Sequence, residues 1–177
     1  TLLTAAALVR PVSSVRVVQA TTGGGFGGTG AITATTAGGG NVTVTTSNNV
    51  TAVTGAAIKT TTAGGTNTVN ITGGTTTLGA GSSINAASVN VQTGGRVSID
   101  SEQTLKGAWN NAGQIDIVNN GSINLANPME PATSLTNTGR ITLSGSNRFA
   151  LTGATDGVNL INNGDIVKTS TGAQQIS

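Results

Sequence analysis

From about residue 31 onward, short runs of alternating aliphatic and polar residues recur along the chain, each followed by a turn rich in Gly, Asn, Ser or Thr. Asn41-Val42-Thr43-Val44-Thr45, Thr68-Val69-Asn70-Ile71-Thr72, Ser88-Val89-Asn90-Val91-Gln92 and Arg96-Val97-Ser98-Ile99-Asp100 are clear instances. Gln114-Ile115-Asp116-Ile117, Ser122-Ile123-Asn124-Leu125 and Arg140-Ile141-Thr142-Leu143 continue the series. Side chains two apart in a strand share a face, so each run predicts a short β-strand with one dry side and one wet side.

The runs are separated by Gly38-Gly39-Gly40, Gly64-Gly65, Gly73-Gly74 and Gly94-Gly95, and by Asn-containing corners at Asn110-Asn111-Ala112-Gly113, Asn119-Asn120-Gly121, Asn137-Thr138-Gly139 and Asn162-Asn163-Gly164. Gly and Asn tolerate left-handed backbone, which predicts sharp corners at low strain and singles out Asn111, Gly113, Asn120, Gly121, Asn137, Gly139, Asn163 and Gly164 as structural positions. After each Asn corner comes one polar residue and then Ile115, Ile123, Ile141 or Ile166, the equivalence expected of stacked coils. Stacking would also let the asparagines form amide ladders, each side chain bonded to its equivalent one coil along.

Many short strands also suit an antiparallel sandwich. Composition favours the solenoid. Aromatic residues make up 2% of the 177 residues, Trp109, Phe26 and Phe149 being the whole supply, so the core must be built from Val, Ile, Leu and Ala, as fits a narrow tube. The expectation is an all-β, right-handed parallel β-helix over residues 31–177. Coils of roughly 20 residues stacked about 4.8 Å apart would give about eight coils and a rise of about 40 Å. Before residue 96 the chain is Thr- and Gly-rich and nearly uncharged, Lys59 being the only charge between Arg16 and Arg96. After it come most of the charges and the insertion-like Asn127-Pro128-Met129-Glu130-Pro131. The strand rhythm crosses this shift, which reads as one solenoid with decorated later coils. Residues 1–20 are an apolar leader: the tail of a signal peptide, or a capping or partner-inserted strand centred on Val12, Val15, Val17 and Val18. Residues 21–30 form a Gly-rich loop.

Candidate chemistry is sparse. Charged residues are 8% of the chain, too few and scattered for a phosphate-binding track, so no nucleic-acid partner is expected. No apolar run reaches the roughly 18 residues of a membrane span. Absent cysteine excludes disulfides and thiolate metal sites, and no metal or cofactor is expected. Gly23-Gly24-Gly25-Phe26-Gly27-Gly28-Thr29-Gly30 lacks the Lys-Ser/Thr of a P-loop. Asp100 and Glu102, two apart with Arg96 or Lys106 nearby, are the one pair that resembles the carboxylates of a polysaccharide-cleaving site. With no His or Tyr to complete an acid–base set they read as a solvated face, so no catalytic residue is assigned. Sequons at Asn41, Asn49, Asn70 and Asn120 arise readily by chance in so Asn- and Thr-rich a chain. Thr-rich outer faces are the surface expected to meet a polysaccharide, a host surface or another rod.

The stretches Val158-Asn159-Leu160-Ile161-Asn162-Asn163-Gly164-Asp165-Ile166 and Asn119-Asn120-Gly121-Ser122-Ile123 resemble the repeats of bacterial autotransporter passengers and of two-partner-secreted, filamentous-haemagglutinin-like proteins. Thr54-Gly55-Ala56-Ala57-Ile58, with Gly64-Gly65 and Val69-Asn70-Ile71 following, is similar in style. The resemblance implies a β-helix displayed outside a Gram-negative cell for adhesion, aggregation or biofilm. The 177 residues depart from a complete autotransporter in showing no C-terminal membrane barrel, which is expected either to lie outside them or to be replaced by another mode of secretion or polymerisation. The readings in contention are an adhesive rod, a self-assembling filament or surface-layer subunit, and, far behind, a polysaccharide-cleaving enzyme.

Overall fold

The computed structural model describes residues 14–19, 30–36, 40–52, 56–62, 64–125, 133–153 and 159–176. Residues 1–13 and 20 of the leader, nearly all of the Gly-rich loop and the Asn127–Pro131 segment lie outside them. Among the described residues there is no helix, and every strand pairing is parallel. The chain is a parallel β-helix.

From β3 to β17 each coil lays down three strands in turn. The first face is a seven-stranded sheet of β1 (Ser14–Gln19), β3 (Asn41–Thr46), β6 (Asn67–Ile71), β9 (Ser88–Val91), β12 (Ala108–Asn111), β15 (Ser134–Asn137) and β18 (Asn159–Asn162). The second is a six-stranded sheet of β4 (Val50–Ala52), β7 (Thr75–Leu78), β10 (Arg96–Ile99), β13 (Gln114–Ile117), β16 (Arg140–Leu143) and β19 (Asp165–Lys168). The third falls into two three-stranded sheets, β2 (Gly30–Thr35), β5 (Ala56–Thr61) and β8 (Ile84–Asn85), then β11 (Glu102–Thr104), β14 (Ser122–Asn124) and β17 (Leu151–Thr152). The break between β8 and β11 falls near the compositional shift, but the first two faces cross residue 96 unbroken. From the leader, β1 pairs with β3 as the end strand of the first face, Ser14 opposite Asn41.

Coil length varies more than the sequence rhythm suggests. Equivalent positions lie 20 residues apart between Asn70 and Asn90, 26 between Asn111 and Asn137 and 25 between Asn137 and Asn162. The expected eight coils are therefore too many: the tallest face has seven strands, about 29 Å at about 4.8 Å per step. The corners absorb the difference, because a strand must keep register with its neighbours while a turn outside the ladder need not.

The interior is filled by columns of side chains that register sets one above another. In the coil from β12 to β14, Trp109, Asn111, Ile115, Ile117, Ile123 and Leu125 all point inward and are buried. One first-face column runs Val44, Val69, Val89, Trp109, Leu135, Leu160. A second-face column runs Val50, Thr76, Val97, Ile115, Ile141, Ile166. Removing an Ile, Leu or Val from water contributes about 1.5–3 kcal/mol, so stacking like on like supplies the stability that a single coil lacks. Trp109 joins this otherwise aliphatic core with its indole N–H donating to the Lys106 carbonyl at 3.2 Å.

The stacked isoleucines after the Asn corners are only partly equivalent. Ile115, Ile141 and Ile166 share one column of the second face, whereas Ile123 lies on the third face between Gln103 and Leu151. Two different corners of the coil use the same local sequence, because each needs the same sharp turn into an alternating strand.

The corner glycines have a different cause from the one their composition suggests. Positive φ among the described residues occurs at Gly74, Gly81, Gly94, Gly107 and Asn119, and not at Gly113, Gly121, Gly139 or Gly164. Those four are glycine because of contact between coils. A Cβ on Gly113 would overlap the Gly95 carbonyl oxygen, one on Gly139 the Gly113 oxygen, one on Gly164 the Gly139 oxygen and one on Gly121 the Ile99 oxygen. The same carbonyls accept the coil-to-coil bonds that hold the corner, from Gln114 N to Gly95 O at 3.1 Å, Arg140 N to Gly113 O at 2.9 Å and Asp165 N to Gly139 O at 2.9 Å.

Candidate functional site

The inner ends of β12, β15 and β18 place Asn111, Asn137 and Asn162 in one column above Thr46, Ile71 and Val91. The Asn111 side-chain amide donates to Asn137 Oδ1 at 2.6 Å, and that of Asn137 to Asn162 Oδ1 at 2.6 Å. The spare N–H of each reaches a backbone carbonyl of the next coil, Arg140 O at 3.1 Å and Asp165 O at 3.2 Å. Asn111 and Asn137 are fully buried, so these bonds offset desolvation of the amides. One acceptor is left over: Asn111 Oδ1 faces the aliphatic stretch of the column and has no partner. Asn163 sits one residue later, exposed on the turn, and takes no part in the side-chain ladder. Its backbone N–H donates to the Asn137 carbonyl at 2.8 Å.

A second ladder runs up the outside of the same face, Asn90 donating to Asn70 Oδ1 at 2.9 Å and Asn110 to Asn90 Oδ1 at 3.0 Å. The sequon asparagines are similarly engaged. Asn41 Oδ1 accepts from Thr66 N at 2.9 Å, Asn49 Oδ1 from Thr75 N at 2.9 Å and Asn120 Oδ1 from the Ser146 hydroxyl at 2.9 Å.

Asp100 and Glu102 are not brought together around a cleft. Asp100 is at the corner after β10, accepting from the Asn119 side chain of the next coil, while Glu102 points outward from β11. Arg96 turns instead to Asp116, with which it forms a salt bridge. Asp116 faces outward on β13, yet it is buried beneath Arg96 and accepts from Gln114 Nε2 at 2.8 Å. Alternation puts Asp116 on the wet side of its strand, but Arg96 of the coil below covers it. Arg96 is half exposed and can rehydrate if released, whereas Asp116 cannot. Arg96→Gln is therefore expected to destabilise the fold by about 1–2 kcal/mol and Asp116→Ser by less, as urea unfolding would measure; equal losses would contradict the asymmetry.

Sequence reasoning missed the inward polar residues and one exposed loop. Thr46, Thr76 and Gln103 are buried inside the coil, where period-2 reading of a Thr-rich run cannot tell inner from outer threonine. Between β16 and β17, Ser146 donates to Asn119 O at 3.1 Å and Asn147 donates to Asn120 O at 3.2 Å, clamping the loop to the corner of the preceding coil. That loop presents Arg148 and Phe149, with the guanidinium carbon 5.7 Å from the ring centroid. The signal was there in the sequence, since an aromatic residue is rare in this chain.

No group of three or more His, Cys, Asp or Glu among the described residues is placed to hold a metal ion. None of their elements is a helix long and apolar enough to cross a membrane. Comparison with protein-family models, curated proteins and solved structures brings no match, so what places this chain among known architectures is its parallel β-helix.

Proposed function

We propose that this chain is a rod-forming segment of an extracellular bacterial surface protein, serving adhesion, aggregation or biofilm formation. The observation that carries the reading is the continuous stack of in-register coils, whose seven-stranded face is knit by amide ladders inside and out. Such a stack makes a stiff spacer with long flat sides. The sparse charge and the passenger-like Asn-Gly corners support the same reading. Displayed on a non-adherent bacterium, the chain should promote attachment to surfaces or clumping of cells; display without either effect would sink it.

The second reading is a subunit that assembles end to end, through the open strand edges that a parallel β-helix offers to a partner. Lys168 opposes it. Register places Lys168 above Leu143 in an interior column, and its ammonium instead donates to the Ser170 carbonyl. A charge at an inward position of an edge strand is a device against strand addition. If the ends stack, Lys168→Leu should increase concentration-dependent association in sedimentation velocity; an unchanged, monomeric profile would remove this reading.

A further inference from the structure

We infer that the loop between β16 and β17 is a binding site for acidic polysaccharide, with Phe149 as the stacking platform and Arg148 as the carboxylate-binding group. Phe149 is 49% exposed although a coil lies on either side of its loop and the next two residues, Ala150 and Leu151, are buried. The ring is therefore turned outward by a rigid support. Its backbone N–H donates to Asn147 Oδ1 at 2.9 Å, and Ser146 and Asn147 are bonded to the Asn119-Asn120 corner of the coil below. From the coil above, Gln175 N donates to Arg148 O at 2.6 Å and Gln174 Nε2 to Gly145 O at 2.9 Å. Little ordering entropy is left to lose on binding.

The chemistry of the patch selects the ligand. A pyranose ring has a face of C–H groups matched to an aromatic ring, and an edge of hydroxyls. The residues that hold the loop of Phe149 are hydroxyls and amides, among them Ser146 and Asn120, and Ile176, which pairs with Leu151, is likewise 49% exposed. Arg148 forms no salt bridge among the described residues and its guanidinium lies over the ring, 5.7 Å from the centroid, so its forked donors border the surface on which a sugar carrying a uronate carboxylate would stack.

The inference takes its setting from the adhesive reading, and the two can fail separately. Titration calorimetry of the whole chain with oligogalacturonate, and with a neutral maltooligosaccharide of equal length, tests it. Oligogalacturonate should bind in preference, Phe149→Ala and Arg148→Gln should each weaken it by roughly tenfold, and Phe149→Tyr should retain it. Both side chains are exposed, so thermal unfolding of the variants should match that of the parent. No binding of oligogalacturonate, undiminished binding by Phe149→Ala, or equal affinity for the neutral oligomer would overturn the site. So would Phe149-dependent binding of phosphatidylglycerol vesicles without binding of oligogalacturonate. Oligomer binding by a chain that confers no adhesion would keep the site and remove the adhesive reading; adhesion without oligomer binding would do the reverse.

Discussion

Gly139→Ala is expected to destabilise the β-helix by about 3 kcal/mol, measured as a shift in the urea midpoint at unchanged slope. The added methyl would overlap the Gly113 carbonyl oxygen and the backbone of Ala112. Both belong to the coil below, so relief requires coils to separate at a corner where Arg140 N bonds Gly113 O at 2.9 Å. Backbone cannot yield as a flexible side chain would. Gly79→Ala is the matched control, since a Cβ there meets nothing within 4 Å, and its effect should stay within about 0.5 kcal/mol. A Gly139→Ala protein as stable as the Gly79→Ala one would show that the coils are not in such close contact. Because stability in a stacked array depends on nearest-neighbour interfaces, the loss should concentrate in the coils flanking the corner, visible as faster amide exchange there.

The inner ladder leads to the second large effect. Asn137→Val keeps the shape and suits a strand, yet it takes away the acceptor of Asn111 and leaves a buried N–H unpaired beside the already orphaned Asn111 Oδ1. A loss of about 2 kcal/mol follows. Asn111→Val should cost less, about 1 kcal/mol, because it removes donor and unpaired acceptor together, leaves Asn137 Oδ1 and the Arg140 carbonyl each short of one bond, and extends the aliphatic stretch below. Thermal or urea unfolding of the pair decides the matter. Equal costs would mean that the two amides act as independent side chains and the ladder adds nothing.

Both expectations touch residues that stand out in the sequence, but for reasons the sequence states incompletely. Period-2 alternation located β3, β6, β9, β10, β13, β14 and β16 and their inner faces, since Val, Ile and Leu two apart can share a face only in a strand. It did not locate β7, whose Thr75-Thr76-Thr77-Leu78 hides an inward Thr76 among outward threonines. Nor did it distinguish the two corner types. Asn111, Asn137 and Asn162 end strands of one face, while Asn119 and Asn120 turn the chain between the other two. The candidate site was less legible still. Asp100 and Glu102 drew attention as a pair, but the coil geometry gives Asp100 to Asn119 and Asp116 to Arg96, partners 19 and 20 residues away.

What the sequence determined by itself is the local rule: short strands, one aliphatic face and tight corners. Those follow from side-chain alternation and turn chemistry, which act over a few residues. Only the tertiary structure decided register, and with it which asparagines stack, which glycines face a carbonyl of the neighbouring coil, which carboxylate is covered and which phenylalanine stays outside. Separations of 18 to 28 residues lie between facing positions of neighbouring coils. A contact between coils depends on the summed length of three strands and three corners, and no local pattern fixes that sum.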